Sequence, residues 1–480
     1  SGEFGEGSNY VVGAYYFGQE IDSETFTGDP SGPAGLLGQY VDFIEPAVAD
    51  AVNLVNTVSG LVGPPYPPAG VAFPAGVWSR DFVTQDHDGW AVFGQVDWSI
   101  SDALTLTLGA RFTDETKKIN ARYIQMAEGP PIDLAGLGLI GCQLDQPPGC
   151  FATLPPPLQQ PPNFADPNTL ATFIPYSFDA WGSYLFQPLA PRPDLNAELS
   201  DEQVTGTAKI SWFPSDSTLV YLSYASGFKS GGTNTDRISP DFDPIFGAET
   251  TESIELGFKG GWGPVQFKVA VYDTKFDDFQ ANSFTGTGFN LQNAGELSIS
   301  GVDVEATWRP TDSTEIQANY AHNEGEFDEF TGGTCWDTYP FHTGIDDPGK
   351  GGDPTSEVCD RSGFPLPYNP EDRLFLAMSQ TIDLSSSMSM FLRGEYSYAS
   401  SEWTDGDLDP FTEQDSVEIV NLRIGFLFDS IASELTFWGR NITDERYLHG
   451  SFDQPLGLGR MNAYPSEPAT YGVTFVKNFD

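Results

Sequence analysis

No stretch of this sequence stays apolar for long. Its 480 residues contain no run of about 18 apolar residues, the least a helix needs to cross a bilayer, so a transmembrane helix is excluded. Any membrane crossing is left to a closed β-barrel, because hydrocarbon satisfies no open strand edge. Basic residues are scarce: 22 Lys and Arg stand against 68 Asp and Glu, a formal charge of −46. Nucleic acid is thereby excluded as a partner, since phosphate binding needs clustered Lys and Arg. The acids are spread among 39% hydrophobic residues and read as a solvated surface rather than a disordered tail. Only four histidines occur, His87, His322, His342 and His449, with neither metal spacing nor a nucleophile elbow around them. The glycine-rich "GFKSGG" from Gly227 sits at a strand end, not before a helix, so it is no phosphate loop. No enzyme activity and no cofactor are expected. Cysteine is equally sparse. Cys142 with Cys150 and Cys335 with Cys359 each bracket a loop-like stretch, and their local spacing suits two disulfides in an oxidising compartment rather than a zinc knuckle. Ser1–Gly7 has neither a basic region nor an apolar core, so no export signal is read there.

Aromatic residues, by contrast, are plentiful: 36 Phe, 19 Tyr and 10 Trp make up 14% of the chain, although the mean hydropathy is −0.27. A wall with one oily and one wet face has that composition. Period-two alternation supports it. Leu104, Leu106, Leu108, Ala110 and Phe112 alternate with Thr105, Thr107, Gly109, Arg111 and Thr113. Val204–Trp212, Val265–Val271 and Val302–Trp308 repeat the pattern. A soluble sandwich also alternates, with its oily faces inward. Three features favour a membrane barrel. Asp102–Gln125 and Ser200–Phe213 are long enough to cross a bilayer at a tilt and protrude. Trp98, Trp212, Phe213, Trp262 and Trp308 fall near strand ends, as an aromatic girdle requires. Connections alternate between short turns (Ser99–Ala103, Pro214–Ser217, Gly260–Pro264, Pro310–Ser313, Ser385–Ser387, Asp429–Ala432) and long loops (Ile21–Arg80, Met126–Leu199, Ser230–Ala248, Asn282–Ala294, Thr331–Asn369, Thr404–Glu413, Arg446–Pro468). That segregation predicts an all-β, antiparallel transmembrane barrel of about 14 strands, with short periplasmic turns and long extracellular loops. The last strand is read over Ala469–Phe479, and one helix-like stretch, Gly38–Leu61, lies in a long loop.

The ordered segments "NYVVGAYYFGQE" from Asn9, "GWAVFGQVDWSISDALTLTLGARFTDE" from Gly89, "YLSYASGFKSGG" from Tyr221, "ETTESIELGFKG" from Glu249, "NAGELSISGVDVEATWRP" from Asn293, "FWGRNITDERY" from Phe437 and "EPATYGVTFVKNF" from Glu467 resemble the TonB-dependent outer-membrane receptors. Ala469 stands where members often carry Arg. The resemblance implies residence in the Gram-negative outer membrane. It also implies import of a scarce cargo, a ferric siderophore by default, and energy drawn from TonB. A passive porin-like or adhesin-like barrel is the alternative. It further implies a plugged barrel of about 22 strands, so residues 1–480 read as its C-terminal portion, without plug domain, TonB box or first strands. The family places charged residues of the polar strand face against the lumen and plug; here these are Arg111, Lys209, Asp303, Glu305, Arg309, Arg393, Arg423 and Arg440, together with Asp97 and Glu395. The loop aromatics Trp181, Tyr184, Trp336 and Tyr339, with His342, are the candidate ligand contacts; packing of loop on loop is the competing use for them. Asp405, Asp407 and Asp409 in "TDGDLDPF" have an oxygen-rich spacing that could hold Ca²⁺, although the remaining loop ligands are missing.

Overall fold

A computed structural model describes residues 1–5, 7–28, 78–126, 192–237, 243–284, 289–336, 347–350, 358–453 and 461–479. One 15-stranded sheet dominates it. Its strands are β1 (Gly2–Phe4), β2 (Ser8–Gly28), β3 (Trp78–Ser101), β4 (Leu104–Met126), β5 (Leu195–Ser215), β6 (Thr218–Lys229), β7 (Glu249–Trp262), β8 (Val265–Asp277), β9 (Glu296–Thr311), β10 (Thr314–Glu329), β11 (Asp372–Ser385), β12 (Met388–Ala399), β13 (Val417–Phe428), β14 (Ser433–Arg440) and β15 (Thr470–Lys477). Each pairs antiparallel with the next in sequence, the up-and-down order a membrane barrel needs. Among the described residues no pairing joins β15 back to β1 or β2.

Register explains the alternation. Trp98 faces Leu106, Leu106 faces Ile210, Ile210 faces Leu222, Leu222 faces Leu256, Leu256 faces Val271, and Val271 faces Val302. Seven strands thus contribute one oily residue each to a continuous row. The row is uncovered: Trp98, Leu222, Leu256 and Val271 are 54%, 48%, 54% and 51% exposed. In a sandwich these side chains would be buried against a second sheet; here nothing in the described chain lies over them, and lipid is the partner such a face requires. The predicted girdle is also present. Trp98, Trp212, Trp262 and Trp308 are exposed near the short-turn ends of β3, β5, β7 and β9.

The opposite face solves a packing problem of its own. Large rings lie flat over glycines directly across the ladder: Phe93 over Gly13, Phe17 over Gly89, Tyr221 over Gly257, Phe391 over Gly425 and Trp438 over Gly472. A Cβ on Gly425 would stand 2.0 Å from the Phe391 ring. The glycines are therefore seats for rings, the arrangement by which an aromatic covers an otherwise bare strand position.

Six turns fall where predicted, between β3–β4, β5–β6, β7–β8, β9–β10, β11–β12 and β13–β14. The long connections begin later than expected. β2 continues to Gly28, β3 starts at Trp78 and β5 at Leu195. The outer extension of β2, Ile21–Gly28, pairs with Trp78–Gln85 of β3. Neither face there shows an oily alternation, so the pattern that marks a strand in lipid gives no signal. The helix-like stretch Gly38–Leu61 and the pair Cys142–Cys150 lie outside the described residues.

Candidate functional site at the polar face and outer mouth

Alternation and register place Arg111, Lys209, Asp303, Glu305, Arg309, Arg393, Arg423 and Arg440 all on the face opposite the oily row. Most are engaged with neighbours. Arg111 Nε donates to Thr113 Oγ1 at 2.9 Å, and Lys209 Nζ lies 4.5 Å from the Tyr221 ring centre. Glu305 accepts from Lys268 at 2.7 Å, and Arg309 pairs with Glu315 at 2.6 Å. Arg393 Nε reaches Glu395 at 2.6 Å, while Arg423 approaches the other oxygen of the same carboxylate at 3.8 Å. Arg440 stacks on Trp438 at 5.2 Å and makes no ion pair among the described residues.

Two cavities open on this face. One of about 560 Å³ is lined by Asp303, Glu305, Arg373, Phe375 and Ile419, among others. The second, of about 340 Å³, shares Ile419 and is lined by Asn421, Arg440, Tyr447, His449 and Glu467.

Above the wall, five short hairpins rise from the long connections. They pair Gly232–Thr233 with Ile245–Phe246, Gln280–Phe284 with Phe289–Asn293, Gly333–Thr334 with Val358–Cys359, Glu402–Trp403 with Glu413–Gln414, and Leu448–Asp453 with Met461–Pro465. A small core of Ala281, Ala294, Leu297, Phe327 and Phe330, flanked by Phe276, Phe279 and Leu366, gives the outer ends of β8–β10 an apolar interior. The segment after β6 turns onto the polar face of β3 and β4. Arg237 grips Asp81 at 2.6 Å, Lys117 Nζ donates to Ser230 Oγ at 2.6 Å, and the Tyr123 hydroxyl donates to Thr235 O at 2.9 Å. This fastening narrows the space over those strands.

The Cys335–Cys359 disulfide forms, with Cα atoms 5.1 Å apart. Beside it sits a buried ion pair that sequence reasoning missed. Arg361 and Asp347, with side chains 2% and 0% exposed, meet through two hydrogen bonds of 2.9 and 2.7 Å. Asp347 also accepts the Trp336 and Gly349 amides, and Arg361 donates to Thr334 O. Trp336, a candidate ligand contact, is 4% exposed beneath the Arg361 guanidinium. Its place is inside the loop. Trp181, Tyr184, Tyr339 and His342 lie outside the described residues.

Asp405, Asp407 and Asp409 are all buried, and each accepts a nearby amide: from Gly406, from Asp409 and from Phe411. Leu408 between them adopts a left-handed φ of 60°. Burial pushes the Asp407 carboxyl up to about 6, with Asp409 and Asp347 adding to the rise and Arg361 opposing it. Among the described residues, the only convergent trio of metal-binding side chains is Cys335, Asp347 and Cys359, whose two sulfurs are bonded to each other.

The "RNITDERY" segment acts as the clasp of the last loop. Asn441, at φ 48°, donates through Nδ2 to Glu445 O and Glu467 O and accepts the Glu445 amide. Asp444 accepts the Ala469 amide, which, with Arg446 nearby, holds its carboxyl below the usual range. Nothing in the alternation signals this; the cues are the asparagine among polar turn formers and the "FWGRNITDERY" segment that carries part of the resemblance.

A sheet of long antiparallel strands, oily on one uncovered face and charged on the other, with short turns at one end and knitted loops at the other, is the wall of an outer-membrane β-barrel. The chain belongs to the TonB-dependent receptor-like β-barrel family, whose model matches residues 2–442. That family resides in the Gram-negative outer membrane. The pesticin receptor of Yersinia pestis is 32% identical over 146 residues, 30% of this chain and 21% of that receptor. Among solved structures, the siderophore receptor PiuA of Acinetobacter baumannii matches at a TM-score of 0.58 and 14% identity, covering 99% of this chain and 54% of that one. The ferric yersiniabactin uptake receptor FyuA of Yersinia pestis matches at a TM-score of 0.57 and 15% identity, covering 84% and 49%. At those identities the two structures show a shared fold. The chain spans about half the length of each.

Proposed function

We propose that this chain forms the barrel wall of an outer-membrane importer that takes up a ferric siderophore with energy relayed by TonB. The observation that carries the reading is the two-faced wall: one uninterrupted oily row on one face, and charged residues with two cavities on the other, the face we assign to the lumen and plug. The named relatives agree in kind, since one is a siderophore receptor and another a ferric yersiniabactin uptake receptor. Residues 1–480 act as one portion of the barrel domain. Trp181, Tyr184, Tyr339 and His342 are proposed cargo contacts, and Trp336 packs inside the loop that carries Tyr339 and His342. Transport, not catalysis, is the task. The test is radioiron uptake into cells that lack other receptors, measured with and without a functional TonB and with a panel of ferric chelates. TonB-dependent uptake of at least one chelate is expected. Iron entry that persists without TonB would point to the passive pore, and no entry of any chelate would overturn the import reading.

A further inference from the structure

In a chain of charge −46, Arg373, Arg393, Arg423 and Arg440 share the polar face from β11 to β14, the first and last at the outer strand ends and the middle pair near mid-strand beside Glu395. Glu395 is already spent on Arg393 and Arg423. Among the described residues Arg440 makes no ion pair; it stacks on Trp438 and opens into the cavity of about 340 Å³, which Glu467 also lines.

We propose that this cavity is an oxyanion-binding subsite that takes a carboxylate of the imported chelate, with Arg440 as its primary ligand. The inference rests on the import reading and names its cargo class. The floor is Arg440 with its register partner Thr470 on β14 and β15, joined by Asn421 of β13. The roof is Tyr447 and His449, whose rings meet edge to face at 5.0 Å. The Asn441 clasp fixes roof to floor, because it ties the end of β14 to Glu445 and Glu467 on either side of the loop. A guanidinium already held by a stacked indole loses little freedom when it binds a planar carboxylate through two parallel hydrogen bonds. The volume suits a small group rather than a whole chelate. The rest of the cargo extends past Ile419 into the neighbouring cavity, where Phe375 offers an apolar surface and Arg373 a second positive charge beside the Asp303 and Glu305 carboxylates.

The test uses outer-membrane vesicles carrying the receptor and three radioiron probes. Ferric citrate and ferric rhizoferrin are anionic and rich in carboxylates; ferrioxamine B is cationic and has none. Wild type is expected to bind a carboxylate chelate and not ferrioxamine B. Arg440→Gln is expected to weaken that binding about tenfold or more, the effect of losing a charge-assisted pair, and Arg440→Lys to restore part of it. Tyr447→Phe, which keeps the ring, is expected to change affinity by less than about threefold. Unchanged heat-modifiable mobility on gels reports that each variant is folded. Carboxylate-chelate binding that survives Arg440→Gln overturns the subsite, as does a wild type that binds only ferrioxamine B; both leave the import reading standing. A wild type that binds none of the probes and shows no TonB-dependent uptake of any chelate overturns the import reading itself.

Discussion

Leu256→Arg tests the two-faced wall most directly. Leu256 stands six residues along β7 from Trp262, which marks the boundary near the short turns. At about 3.4 Å per residue and a tilt of roughly 40°, the separation along the membrane normal is about 15 Å, close to the middle of an apolar band about 25 Å tall. An arginine on the lipid side at that depth costs about 2–4 kcal/mol. Ser223→Arg is the matched control. Ser223 faces Glu255 across the ladder, so it lies at the same depth as Leu256's neighbour but on the opposite face. A guanidinium there enters a polar space beside a carboxylate, and the expected change is within about 1 kcal/mol. The assay is reversible denaturant unfolding of protein folded into phospholipid vesicles, read by tryptophan emission and compared at constant m. Equal destabilisation by the two substitutions would refute the assignment of faces, and a larger cost at Ser223 would reverse it.

Three further outcomes follow from the loops and the ladder. Arg361→Ala strands Asp347 without its partner in a buried site, so the 335–359 loop is expected to lose about 3–5 kcal/mol of local stability and become cleavable by protease while the barrel stays intact. Retained protease resistance would show that the pair is dispensable. Asp407 has a folded value raised to about 6, above its unfolded value, so the folded loop binds a proton more tightly. Its contribution to stability is therefore best below about pH 4 and falls as pH rises to about 6. Asp407→Asn is expected to remove that slope and stabilise the loop by roughly 2 kcal/mol at pH 7, measured by hydrogen exchange across pH 4–8; an unchanged slope refutes it. Gly425→Val drives a side chain into the Phe391 ring and is expected to cost about 1–3 kcal/mol in vesicle unfolding, whereas Phe391→Ala with Gly425→Val recovers part of that loss.

How much of this was legible in the sequence depends on which partner each residue meets. Lipid imposes a period of two on every strand inside it, so Leu104–Phe112 and Val302–Trp308 announce their faces without help from tertiary structure. The same strands beyond the bilayer meet water on one side and loops on the other. Ile21–Gly28 consequently shows no oily alternation, and that end of β2 was read as loop. The turns were readable because tight reversals demand Asp, Ser, Gly and Pro locally. The Arg237–Asp81 grip joins residues 156 positions apart and leaves no local trace. Trp336 shows the limit for the site itself. An aromatic beside a cysteine has the composition of a binding loop, and only the Arg361–Asp347 pair, formed from 14 residues' separation, reveals that the ring faces inward.

Charge gives the opposite lesson, because composition alone misdirects. A total of −46 argues that an anionic cargo is repelled. Yet the total averages over solvated outer loops, where charges more than about 10 Å apart are screened from one another. What a ligand feels is the local arrangement in a cavity walled by protein. There the ladder decides: Arg393 and Arg423 are register partners across β12 and β13, and Arg440 lies on the next strand, β14, opposite Thr470 of β15. Strand pairing brings together arginines that are 17 to 30 residues apart in the chain, onto one face and into one patch. A strongly acidic total is therefore compatible with a guanidinium that has no ion pair among the described residues, and the Arg440→Gln comparison reads that one site and not the sum.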